Sequence, residues 1–326
     1  MKTFCIDVIN QLVSALLVKA TKPTMKQHLN MKRILNFLAF CVIMFMWPTV
    51  HGQNRAQAAL LEKAYRQKSE KLLFEFFDNW SKEISSNESE APDEWVSEAH
   101  KVFVAFYQPL HEKFGRSIYQ NNPYFIVQNS LWKILVADTI PYKPEELEGY
   151  YANRIRQLRP NDTDIIGNLQ NYIDRRGLQV DFNNNSKRWD KIPTTMVDSN
   201  ITFRPPVLFP EKKIVYLTDE YIKLLDNFLG NKHVEMGKYG IMQIAYAKKK
   251  SSRKMNFVTK AATIFYGHWG GYWQYETYPQ ANSIVFDTKM HRAVVYFRFI
   301  YGGGYVVLEK QNDDWEIMKI EYNWVE

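Results

Sequence analysis

Between Phe265 and Pro279 the chain reads FYGHWGGYWQYETYP. An imidazole (His268), a carboxylate (Glu276) and two phenols (Tyr272 and Tyr275) are brought close along the chain, walled by Trp269 and Trp273. An apolar wall moves the pKa of an imidazole or a carboxyl toward the range in which general acids and bases operate. Arg298, further along in an alternating segment, is available to hold an anionic group. His268, Glu276 and Arg298 are therefore the candidate catalytic set, suited to acid–base hydrolysis or isomerisation. Trp269, Tyr272, Trp273 and Tyr275 are the candidate ligand-binding rings, since aromatic walls take apolar ligands and sugar faces. The same residues also have a plainer job. Gly267, Gly270 and Gly271 let the backbone bend tightly, the rings fix the bend against a sheet, and Glu276 is solvated. The pattern favours this structural corner, with a second use as a pocket wall.

Other chemistry is thinner. Past residue 53 there are five histidines, at 100, 111, 233, 268 and 291, and none forms a His-Glu-x-x-His pair. His268, Glu276 and His291 would make a metal site only if a sheet assembled them, so no metal and no cofactor is expected. Gly302-Gly303-Gly304 is followed by a strand pattern rather than a helix, so it reads as a hairpin turn or bulge needing positive φ, not a phosphate cradle. A Gly-x-Ser-x-Gly elbow, a Walker A loop and a dinucleotide fingerprint are all missing from the sequence.

The elements that carry these residues begin after a leader. Met31-Lys32-Arg33 is basic, Ile34 to Trp47 is apolar apart from Asn36, and Val50-His51-Gly52 precedes Gln53. That order is the grammar of a secretory signal peptide. The run falls short of the roughly 20 residues that span a bilayer. Met31 is then the expected start, residues 1–30 an over-extended reading frame, and Gln53 the mature N-terminus. Cys41 follows Phe40 inside the apolar run, which argues against a lipoprotein. Residues 1–52 hold six Lys and Arg against one acid and so account for most of the formal +7 charge. The remainder is nearly neutral, so nucleic acid is not an expected partner. Both cysteines lie in the leader, at 5 and 41, so the mature chain has no disulfide and no thiol nucleophile. The expected location is the periplasm or cell surface, with no transmembrane span in the mature chain.

Within the mature chain, apolar residues recur at helical spacing from Gln57 to Trp80, and again from Pro92 past Phe106 to Pro109 or Gly115. Tyr124 to Asp138 reads as extended, and Pro144 to Leu158 as a helix with acids early and arginines late. Residues 160–210 read as irregular, with a module boundary at Pro205-Pro206. Lys213 to Leu217 is a strand, Asp219 to Leu229 a helix closed by Gly230, and Tyr239 to Ala262 a further helical stretch whose Lys248-Lys249-Lys250 run is a solvated face. Arg292 to Ile300, Tyr305 to Lys310 and Trp315 to Trp324 form an antiparallel meander, with Ser283 to Phe286 before it. Met318, Ile320, Tyr322 and Trp324 would share one side. A lone meander needs cover, and the helix Asp219 to Leu229 is the expected cover.

The fold class expected is α+β: an N-terminal helical hairpin, an irregular α/β middle, then helices on a curved antiparallel sheet. Residues 53–205 would form a mixed N-terminal region and 206–326 a C-terminal domain. GHWGGYWQYETYP, the meander from His291 to Glu326 and IVYLTDEYIKLLDNFLG together resemble the C-terminal part of uncharacterised secreted proteins of Bacteroidetes. That resemblance implies export and brings no catalytic residues. Ala293 to Phe299 and Asp313-Asp314-Trp315-Glu316-Ile317 also resemble the last strands of NTF2-like domains, in which helices are cupped by a sheet. Such a cup serves enzymes and non-enzymes alike. The functional expectation is a non-catalytic binding or interaction protein, with a small molecule, a glycan or a protein as partner. The alternative is an acid–base enzyme using an NTF2-like pocket.

Overall fold

Residues 55–67 (α1) and Glu70–Ser85 (α2) are helical. The sequence reads as one continuous helix here, and the structure breaks it at Lys68. Lys68 takes a positive φ of 51°, and the Ser69 hydroxyl then accepts from the Leu72 amide to start α2. The computed structural model describes residues 55–85, 93–119, 121–183, 187–230, 251–266, 273–300 and 302–325. Ala58 to Glu326 form one compact unit.

Asp93 caps α3 (Glu94–Leu110) by accepting from the Val96 amide at 2.8 Å. Pro109 sits inside the last turn and lacks an N–H, so one rung of the ladder is missing. The chain widens there into a π-turn, His111–Gly115, before α4 (Arg116–Tyr119). The segment expected to be one extended stretch is two strands, β1 (Tyr124–Gln128) and β2 (Ser130–Ala137), which part at Asn129 into different sheets. Helices α5 (Pro144–Leu158), α6 (Thr163–Gly167) and α7 (Leu169–Arg176) follow, then β3 (Val180–Asp181), β4 (Ile192–Thr202), β5 (Lys213–Leu217), α8 (Asp219–Leu229) and α9 (Ser251–Val258). The chain ends in β6 (Phe265–Tyr266), β7 (Trp273–Gln274), β8 (Gln280–Asp287), β9 (Arg292–Phe299), β10 (Gly302–Gln311) and β11 (Asp314–Val325). The lysine run 248–250 lies outside the described residues.

The architecture is α+β. A seven-stranded mixed sheet runs in the order β11-β10-β9-β8-β2-β4-β3, and β1 pairs in parallel with β5 in a separate ladder. The meander is antiparallel from β8 to β11, and β8 joins β2 in parallel. Strands from both sides of Pro205-Pro206 thus share one sheet, and the expected boundary there is not a domain boundary.

Both faces of the large sheet are covered. On one, Ala293, Val295, Phe297 and Phe299 meet Phe103, Phe106 and Tyr107 of α3. Glu98 of α3 accepts from Trp315 Nε1 at 3.0 Å and from Lys310 Nζ at 3.1 Å, which ties that helix to the last hairpin. On the other face, Val285, Val294, Tyr305 and Val307 pack under Leu147, Tyr151 and Ile155 of α5 and Leu169 and Ile173 of α7. Helix α8 does not cover the meander, contrary to expectation. Tyr221, Leu224, Leu225 and Phe228 pack with Phe76, Phe77 and Trp80 of α2 on Tyr124 and Ile126 of β1. Helix α8 follows β5 directly, and β5 pairs with β1, so topology delivers α8 to the small sheet.

Two features of the last hairpin depart from simple alternation. Asn312 and Asp313 both have positive φ, which matches the type I′ turn favoured between twisted strands. The β10–β11 register then slips between Val307 and Leu308, leaving Met318 as an extra residue. Ile317 and Ile320 consequently both reach the α3 side, while Met318 is 42% exposed. A second slip lies between Gly303 and Gly304. Gly304 is required by close approach rather than by positive φ, because a Cβ there would sit 1.7 Å from the Glu321 carbonyl oxygen.

Candidate functional site

The structure describes part of the predicted constellation. His268, Trp269 and Tyr272 lie outside the described residues. Trp273 is in β7, where its backbone is in register with Tyr266. Tyr275, Glu276 and Arg298 are described; the first two lie on residues 275–281, a segment that crosses from the small sheet to the large one, and Arg298 lies in β9.

That segment, residues 275–281, is clamped at nearly every residue. Tyr275 is buried and its hydroxyl donates to Asp226 Oδ1 of α8 at 2.5 Å. The Thr277 amide and hydroxyl both donate to the Ile126 carbonyl, each at 2.7 Å. The Tyr278 amide donates to Tyr119 Oη at 3.0 Å, and the Tyr278–Pro279 peptide is cis. Gln128 of β1 accepts from the Ala281 amide at 2.6 Å and donates to the Ala281 carbonyl at 2.9 Å. Neither an open loop nor a swinging lid would carry so many backbone bonds.

His111, on the π-turn, is the residue that motif reasoning passed over. It is buried and ringed by Tyr119, Phe125 and Phe209, with centroids at 5.1, 4.7 and 4.9 Å. Its Nδ1 lies 3.0 Å from the Tyr278 carbonyl, which only accepts, so Nδ1 carries a proton. Burial pushes the imidazole below its ordinary pKa, and the bond to Tyr278 opposes this only in part. A Cβ at Gly115 would stand 3.0 Å from that nitrogen, so the glycine makes room for the ring. The only sequence trace of this arrangement is a proline two residues before the histidine and a glycine four after it.

Gln280 stands between Glu276 and Arg298. Gln280 is in register with Arg298 across β8 and β9, and Gln280 Nε2 donates to Glu276 Oε2 at 2.7 Å. Glu276 is half-buried. Burial raises its carboxyl to about 7, and its charge bears on the buried Tyr107 hydroxyl. Arg298 Nε donates to the Ile300 carbonyl at 3.0 Å, supporting the turn where Ile300 takes a positive φ of 53°. Among the described residues, no three of His, Cys, Asp and Glu are grouped to hold a metal ion.

A different surface is left open. β3 pairs with β4 only at Ile192 and Pro193, so the outer edge of β4 beyond Thr194 has no neighbouring strand among the described residues. Met196 (50%) and Val197 (39%) are exposed on that strand, and Trp132 (56%) is exposed on its partner β2. The β2–β4 register slips between Ile134 and Leu135, leaving Val197 as a bulge, and Asn200 takes a positive φ of 54°. Among the described residues no helix is long and apolar enough to cross a membrane. No family model, curated protein or solved structure matches the chain.

Proposed function

We propose that this is an exported, non-catalytic interaction protein of the periplasm or cell surface, and that it engages an extended polypeptide along the outer edge of β4. Export rests on the leader from Met31 to Gly52. The observation that carries the binding reading is the open β4 edge, with Met196, Val197 and Trp132 exposed beside it. A row of unpaired strand N–H and C=O groups is satisfied by another extended strand, and flanking apolar side chains then select its residues. The bulge at Val197 and the turn-like backbone of Asn200 keep the pairing stretch short, which works against assembly of this chain with itself.

The acid–base alternative draws on one observation, the raised Glu276 carboxyl. That carboxyl is already bonded to Gln280 in the clamped segment, and this fits a structural acid better than a proton shuttle. Photo-crosslinking in the native host, followed by cell fractionation, tests the proposal. A photoreactive residue at Met196 should give a discrete adduct in the exported fraction, and one at the exposed Leu158 should not. Equal adducts from both positions, none from either, or leader-bearing protein in the cytoplasm would each defeat the reading.

A further inference from the structure

The first residues of β4 form one wall of a cleft of about 240 Å³ that lies under α5. Its other wall is a single stripe of that helix. Leu147, Tyr151 and Ile155 face the core, which turns Tyr150, Asn153, Arg154 and Gln157, spaced three and four apart, to the adjoining side. Asp138 and Thr139, just after β2, and the buried Ile192 with Pro193 of β4 complete the lining. The lining therefore holds one fixed cation, one fixed anion, two carboxamides, a phenol and the Thr139 hydroxyl. Both charges act on the same hydroxyl: burial raises the Tyr150 phenol, the Arg154 guanidinium opposes that rise and the Asp138 carboxylate adds to it.

An anionic ligand would be repelled by Asp138 and a cationic one by Arg154. A compact molecule with both charges satisfies each side with a charge-assisted bond, about twice as strong as a neutral one. The volume is below the several hundred Å³ of sites for drug-sized ligands, which limits the occupant to a small metabolite. We infer that the cleft between α5 and the start of β4 is a binding site for a free α-amino acid, with its carboxylate on Arg154 and its ammonium on Asp138. Asn153 and Gln157, both exposed on the same stripe, are placed to bond a polar side chain. This inference is independent of the β4 edge proposal.

Calorimetric titration of the purified protein tests it, with alanine and glutamine as probes and N-acetylalanine, alaninamide and glucose as comparators. The expected result is saturable binding of the free amino acids, weakened about tenfold or more when either charged end is blocked. Asp138→Asn, at an exposed position, should erase the penalty for N-acetylation while the fold, followed by circular dichroism, stays intact. Arg154→Gln should erase the penalty for amidation. Absence of saturable binding by either free amino acid at millimolar concentration overturns the inference. Equal binding of the blocked forms, or preferential binding of glucose, overturns it as well.

Discussion

Glu276→Gln isolates one titration in the clamped segment. In the folded protein the carboxyl is raised from 4.5 to about 7 by burial. Between those two values the native chain keeps a proton that the unfolded chain has shed. Stability therefore falls as pH rises through that window, the reverse of a salt-bridged carboxylate. At about 1.36 kcal/mol per pH unit the full penalty has a ceiling of about 3 kcal/mol, and the partial solvent access of the side chain brings the measured value below that. Glutamine has no charge to bury, and its carboxamide oxygen still accepts from Gln280. Denaturant midpoints for both proteins should be taken from pH 4 to 8.5, and the difference plotted, which cancels the titrations they share. The difference should be near zero at the acid end and should favour the variant increasingly toward neutral pH, levelling above about 7. A constant difference across the range, or one that turns toward the wild type as pH rises, would refute burial as the state of this carboxyl.

Tyr275→Phe leaves Asp226 without its 2.5 Å phenol donor and should cost about 1–3 kcal/mol in chemical denaturation. Trp80→Ala removes a ring stacked on Tyr221 at 4.1 Å and a 3.0 Å bond to the Tyr216 carbonyl; a loss of about 3–5 kcal/mol is expected by thermal melt. Gly304→Ala forces a Cβ against the Glu321 backbone, and a loss of about 3 kcal/mol or more should show as reduced soluble yield and a lowered Tm. Trp132→Ala should change stability by no more than about 0.5 kcal/mol and still remove the crosslinked adduct formed at Met196.

The best-read parts of the chain are those where local pattern and burial coincide. Ala293, Val295, Phe297 and Phe299 alternate along β9 and all reach one core, and Asn312-Asp313 makes the turn that the pattern requires. Helix α5 shows its acids early and its arginines late, and it forms where those charges place it. The long strand β4 was hidden because IPTTMVDSNIT mixes proline, aspartate and asparagine, and its outer side stays in water. Its strand character comes from pairing with β2, a partner far away in sequence. In the candidate site, Glu276 and Arg298 are linked through Gln280, which is bonded to one and in register with the other, and neither residue carries a local mark of that.

What the sequence determines alone is what depends on near neighbours: the helical faces, the β-hairpin turn and the acid–arginine polarity of α5. Each follows from side-chain period, capping or the φ preference of a few adjacent residues. Tertiary structure decided which face each element covers. It put α8 on the β1–β5 pair instead of the meander, and it broke the first helix at a left-handed lysine. At the glycine triplet it chose the bulge over the turn, and it made Gly304 a point of close approach between strands in place of a positive-φ position. These outcomes depend on contacts between residues distant along the chain, and no period within a single segment encodes them.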